Sequence, residues 1–273
     1  MAECNHDCEH CGMAEGCSSK IEKAKLNERS KIKKIIGVLY GKGGVGKSYI
    51  TSTLAVYLNR QGFKVGILDA DITGPSIPKA FGIKDKAYGE DNLIYPLISN
   101  GGIKLISANC LLENDSDPIV WRGPLLGGLI KQFYEDVLWE ELDYLLIDMP
   151  PGTGDFALTV FQQLPVDDLI IVTSPQDLVS LIVTKAIKMA NMMNIKVLGV
   201  IENMSYLVCP DCGKQIKLFG QSHLEDFAKE MKFDILAKLP LVSENTVLVD
   251  NGKVEQVVLN EILPAVEAIK KEK

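Results

Sequence analysis

Gly41-Lys42-Gly43-Gly44-Val45-Gly46-Lys47-Ser48 is the most informative run in the chain. It fits the phosphate-loop pattern G-x-x-x-x-G-K-[ST], in which glycines let backbone N–H groups converge on phosphate oxygens. The flanks supply the context that the pattern needs. Ile35-Ile36-Gly37-Val38-Leu39-Tyr40 is a short apolar run that reads as a strand, and Tyr49 to Arg60 reads as a helix. A helix N-terminus placed behind the loop adds a favourable dipole for an anion. Lys47 is therefore expected on the β- and γ-phosphates of ATP and Ser48 on Mg²⁺, with Gly41, Gly43, Gly44, Val45, Gly46 and Tyr49 completing the nucleotide-binding segment. Lys42 is an additional cation that the general pattern does not require.

Outward from the loop the alternation continues. Apolar strand candidates lie at Val65–Leu68, Lys104–Ser107, Tyr144–Ile147, Leu169–Thr173, Val197–Ile201 and Ile235–Leu239. Helical stretches near Gly123–Trp139, Phe156–Gln163, Leu178–Met193 and His223–Met231 separate the later ones. Short continuous apolar strands between helices predict an α/β, doubly wound, mostly parallel sheet with helices on both faces. Val254 to Lys273 reads as an amphipathic packing helix interrupted by Pro264. The expected division is residues 1–32 as a cysteine-rich extension and linker, and residues 33–273 as the ATPase domain.

Bulk properties narrow the function classes. With 273 residues, 47% of them hydrophobic, the chain has ample material for one large core. Its apolar runs fall far short of the ~20 residues that cross a bilayer, so no membrane partner is expected. The polar N-terminus offers no apolar signal segment, which predicts a cytoplasmic protein. A formal net charge of −7 repels phosphate backbones, so nucleic acid is not an expected partner. In a reducing compartment, seven cysteines point to metal rather than disulfides.

Two carboxylate strings end strands at the edge that holds the loop: Asp69-Ala70-Asp71, and Asp148 of Ile147-Asp148-Met149-Pro150-Pro151-Gly152. Phosphoryl transfer is mostly positioning and charge stabilisation, which calls for one carboxylate in the Mg²⁺ shell and one that orients water. Ile201-Glu202-Asn203-Met204-Ser205 closes another strand at the same edge. Directly after it comes Cys209-Pro210-Asp211-Cys212-Gly213, a knuckle in which two thiolates face one point and glycine permits the tight turn. Four more cysteines, Cys4, Cys8, Cys11 and Cys17, crowd the N-terminal tail together with His6 and His10. Cys110 stands alone and reads as a small buried hydrophobe.

The octapeptide, with Lys42 at its second position, resembles the deviant Walker A family. This family includes septum-positioning and partition ATPases, the nitrogenase iron protein and the Mrp/Nbp35-type iron–sulfur carriers. The knuckle is similar to the metal-binding loop of the carriers, and Val120-Trp121-Arg122-Gly123-Pro124 is similar to another of their segments. Cys8, Cys11 and Cys17 reproduce the C-x2-C-x5-C spacing of the Nbp35-type extension, whereas Cys4 departs from it. The resemblance implies that Lys42 reaches across a homodimer to the partner's nucleotide, that Asp71 serves the attacking water and Asp148 the Mg²⁺ shell with Asp69 in support, and that Gly152 senses the γ-phosphate. It gives Asn203 to adenine; a turn-forming role is the alternative. It implies a [4Fe–4S] cluster bridging Cys209 and Cys212 of two protomers, transferred to recipient apo iron–sulfur proteins, and a second cluster at the tail. Zinc in a mixed Cys/His site is the rival there, and a zinc ribbon completed within the chain is the rival at the knuckle. Two thiols per knuckle need a second pair, which a two-fold dimer supplies. Rival functions are a spatial-positioning ATPase, which leaves the cysteines unexplained, and an ATP-driven electron-transfer protein like the nitrogenase iron protein, which holds its cluster cysteines on separate loops.

Overall fold

The computed structural model describes residues 23–40, 43–71, 76–111, 123–152, 154–175 and 179–271. Gly41, Lys42, Cys4, Cys8, Cys11, Cys17, His6, His10 and Trp121 lie outside the described residues. β1 (Lys31–Tyr40) feeds the glycine loop and α1 (Lys47–Arg60) leaves it. β2 (Val65–Asp69), α2 (Ile77–Ala80), β3 (Tyr88–Glu90), β4 (Leu93–Tyr95) and β5 (Leu97–Ile98) lead to β6 (Lys104–Ser107). α3 (Gly123–Glu135), β7 (Glu141–Asp148), α4 (Asp155–Gln163), β8 (Asp168–Thr173), α5 (Val179–Met192) and β9 (Lys196–Val208) follow. Then come β10 (Gln215–Ile216), α6 (Leu224–Met231), β11 (Ile235–Pro240), α7 (Ser243–Asp250) and α8 (Leu263–Lys270).

Nine strands form the main sheet in the order β11-β9-β8-β1-β7-β2-β6-β5, with β10 on the far end of β9. β1 pairs in parallel with β7 on one side and β8 on the other; among the described strands of this sheet only β5 and β10 run antiparallel. The chain winds first toward β2 and β6 and later toward β8, β9 and β11, so the reversal of direction falls beside β1. Ligands of open parallel sheets bind there, at the carboxyl edge. The α/β expectation is met, because strands such as β8 are buried along their whole length and need cover on both faces.

Several details differ from the pattern reading. The helix beginning at Gly123 stops at Glu135, not Trp139: Val137 bridges to Ile94, and the buried Trp139 donates its indole N–H to the Phe133 carbonyl. Pro264 starts α8 instead of interrupting a helix; its missing N–H costs nothing in the first turn. Two 3₁₀ turns, Val254–Gln256 and Asn260–Ile262, occupy the stretch before it. β1 begins at Lys31, and the preceding segment is pinned to the domain: Ala24 is buried, and Asn27 donates to the carbonyls of Glu135 and Val137. β9 extends seven residues past the expected Ile201, and this extension carries the cysteine knuckle.

Candidate functional site

Gly44 and Gly46 adopt φ of 85° and 80°, the left-handed turn that lets the loop hand over to α1. Gly46 is constrained twice. A Cβ there would meet the Asn203 side-chain nitrogen at 2.5 Å, so only glycine suits both the dihedral and the space. Val45 is buried beneath the loop, and its carbonyl accepts a hydrogen bond from Asn203 Nδ2 at 2.9 Å.

Lys47 points from the first turn of α1 into a buried acidic pocket. Its ammonium donates to Asp148 Oδ2 at 2.8 Å, to Asp71 Oδ2 at 3.3 Å and to the Met149 carbonyl, and it stands 4.8 Å from the centre of the Tyr40 ring. Asp148 is fully buried at the end of β7. It also accepts from Ser48 Oγ at 2.7 Å, and Thr51 Oγ1 lies 2.6 Å from its other oxygen. Asp71 accepts from the Tyr40 hydroxyl at 3.1 Å, while its own N–H donates to Asp69 Oδ1 at 3.1 Å. Burial, then the Asp148 charge, pushes the Asp69 carboxyl well above the usual carboxylate range. Burial and the Asp71 charge likewise raise the Tyr40 phenol, which keeps it a donor.

The structure thus brings Lys47, Ser48, Asp69, Asp71, Asp148 and Asn203 to one place. Among the described residues, the Asp71 and Asp148 carboxylates share the Lys47 ammonium, and this excess of negative charge suits a divalent cation. Among the described residues no three His, Cys, Asp or Glu side chains form a metal cage. Mg²⁺ does not require one, since it takes one or two carboxylates and completes its shell with water and substrate phosphates. Gly152 adopts φ 78° at the same edge, its N–H donating to the Tyr40 carbonyl at 3.1 Å. Tyr49 turns away: its hydroxyl accepts from Asn245 on α7 at 3.3 Å.

Sequence reasoning missed four residues. Thr51 had a signal, standing one helical turn after Lys47 and therefore on its face. Tyr40, the last strand residue before the loop, had a weak one. Glu202 and Met204 had none. Glu202 is buried beside the site, and accepts from Ser205 Oγ at 2.6 Å and from Ser222 Oγ. Met204 has φ 58°, a left-handed conformation that costs a side-chain-bearing residue about 1–2 kcal/mol.

β11 holds the strand as far as Tyr206, whose carbonyl accepts from the Leu241 N–H at 2.7 Å, and beyond it the strand leaves the sheet as an arm. Leu207 and Val208 pair with Ile216 and Gln215 of β10, and the cysteine knuckle forms the hairpin tip. The Gly213 N–H donates to the Cys209 carbonyl at 2.9 Å with φ 70°, and the Cys209 N–H to the Lys214 carbonyl at 3.0 Å. Cys209 is partly exposed and Cys212 exposed. Hydrogen bonds from the Cys212 and Asp211 amides, and then from the Cys212 thiol, hold the Cys209 thiol below its usual range. Such a thiol is biased toward the metal-binding thiolate. Val208, Ile216, Leu218 and Phe219 are exposed around it. Cys110 is buried, as expected. None of the described helices is long and apolar enough to cross a membrane.

Comparison with known proteins gives a consistent picture. The family model described as "NUBPL iron-transfer P-loop NTPase", of the ParA group, matches residues 31–272. An iron-sulfur cluster carrier protein of Clostridium perfringens is 46% identical over 251 residues, 89% of this chain and 88% of its own length. A nucleotide-binding protein from Archaeoglobus fulgidus, solved in complex with ADP and with Co, superposes with a TM-score of 0.75 at 44% identity, covering 82% of this chain and 88% of its own. The cell division ATPase MinD of Pyrococcus furiosus superposes with a TM-score of 0.62 at 20% identity, over 87% of this chain and 98% of its own, a likeness of fold alone.

Proposed function

The chain belongs to the NUBPL iron-transfer P-loop NTPase family, and from that premise we propose that it is an ATP-hydrolysing carrier that holds a [4Fe–4S] cluster between two protomers and passes it to apoproteins. The observation that carries this reading is the knuckle: two thiols at the tip of an arm, Cys209 biased toward thiolate, at the end of the strand whose Asn203 touches the phosphate loop. An iron–sulfur cluster takes four cysteine ligands. A second copy related by a two-fold axis brings the missing pair, and the exposed Val208, Ile216, Leu218 and Phe219 give the two copies an apolar surface to bury. Thiolate ligation suits the reducing cytoplasm.

At the nucleotide end, Lys47 holds the β- and γ-phosphates, and Ser48 with Asp148 would hold Mg²⁺, which supplies charge stabilisation to the transferring phosphoryl group. Asp71, already fixed by Tyr40 and Lys47, orients the attacking water. A bond forms from that water to the γ-phosphorus as the bond to the bridging oxygen breaks, and the water's proton passes to a γ-phosphate oxygen, giving ADP and phosphate. Asp69 supports Asp71 through its N–H, Gly152 senses the γ-phosphate, and Lys42 completes the partner's site. Hydrolysis is slow and coupled to cluster release. The N-terminal cysteines hold a second metal site, a cluster or zinc.

The test is transfer. Wild type loaded anaerobically with iron and sulfide should activate an apo iron–sulfur acceptor, and Cys209→Ala/Cys212→Ala should fall to the background rate. Equal transfer by both proteins rejects the reading.

A further inference from the structure

β9 is the strand that joins the nucleotide loop to the knuckle, and its partners change at Asn203. Up to Glu202 it is locked between β8 and β11; β8 then drops away, β11 shifts register and pairs once more, Pro240 with Tyr206, and from Leu207 β9 pairs with β10. A contact to the loop falls at this change: Asn203 Nδ2 donates to the Val45 carbonyl, and the Met204 methyl faces the same side of Gly46, 3.7 Å from where an added Cβ would stand. Met204 is also where the backbone turns left-handed, with Glu202 anchored just before it by Ser205 and Ser222. Strained, over-determined residues of this kind accumulate at switch points.

We propose that Asn203 is a positioning residue that reports the state of the phosphate loop to the knuckle, with the left-handed turn at Met204 and the single β11 pairing at Tyr206 as the pivot about which the arm from Leu207 to Cys212 turns. A phosphate drawn onto the Val45 and Gly46 amides re-aims the Val45 carbonyl. The Asn203 amide follows its acceptor, and the fixed Glu202 directs the displacement into the arm instead of the sheet. The inference rests on the carrier reading only for what the knuckle holds. The link itself needs no cargo, so the two fail separately.

Hydrogen exchange resolved by peptide tests it on full-length, metal-stripped protein with and without MgATP at a concentration saturating for each variant. In wild type, MgATP should slow exchange at Gly43–Ser52 and change it at Leu207–Gly213 by about threefold or more. Asn203→Ala should keep the first effect and lose the second. Met204→Gly, which accepts the same φ without strain and so loosens the turn, should uncouple the arm in the same way; it carries the test if the Asn203 variant melts early. The proposal is overturned by a wild-type arm indifferent to MgATP. It is equally overturned if both variants respond as fully as wild type, including the case in which Asn203→Ala merely needs more ATP because the side chain serves the base.

Discussion

At the residue scale the site is an unbalanced charge cluster organised by one lysine. Lys47 is buried against Asp148 and Asp71, and taking away one member of a buried pair leaves the other uncompensated. Lys47→Met should therefore cost about 3 kcal/mol in urea unfolding at neutral pH as well as nucleotide binding; unchanged stability would mean the carboxylates are solvated in solution. At the other end, a thiol held below its usual range keeps more thiolate at neutral pH, and that thiolate is lost only as pH falls through the lowered value. Alkylation of metal-stripped protein by iodoacetamide should consequently modify Cys209 faster than Cys212 at pH 7, with a midpoint below that of a free cysteine. Equal rates for the two thiols would remove this bias. Lys47, Ser48 and the knuckle cysteines were legible because their chemistry is written in short, local spacings. Thr51 was legible only as a neighbour of Lys47 on one face of α1 and Tyr40 only as the last residue before the loop; Glu202 was not legible, because its role depends on which strand ends the sheet brings together.

At the element scale, the order of strands and helices followed from apolar runs and their punctuation, whereas ends and edges did not. β9 outran its apolar run because β10 offers Leu207 and Val208 hydrogen bonds that periodicity cannot reveal. The C-terminal pattern read as one broken helix because proline was weighed as a breaker, although it also favours a helix's first turn. The junction of β1, loop and α1 gives a sharp prediction. Gly46→Ala combines a φ of 80° with a Cβ pressed on Asn203, and should destabilise the protein by about 1–3 kcal/mol while weakening MgATP binding. Chemical denaturation and nucleotide titration measure the two effects; a neutral substitution would show that the Asn203 contact does not persist in solution.

At the scale of the whole molecule, one strand, β9, touches the phosphate loop at Asn203 and ends at the knuckle cysteines, and the proposed cargo site is complete only with two copies of the chain. Sedimentation with MgATP should show a dimer that Lys42→Ala weakens, since this lysine is assigned to the partner's nucleotide; an unaltered dimer would remove that assignment. The most direct measurement is the iron and sulfide content of anaerobically reconstituted protein, counted per chain alongside zinc. Because two thiols from each of two chains hold one [4Fe–4S] cluster, Cys209→Ala/Cys212→Ala should contain about two fewer irons and two fewer sulfides per chain than wild type, whatever the N-terminal cysteines retain. Identical iron and sulfide in the two proteins would rule out a cluster held by Cys209 and Cys212.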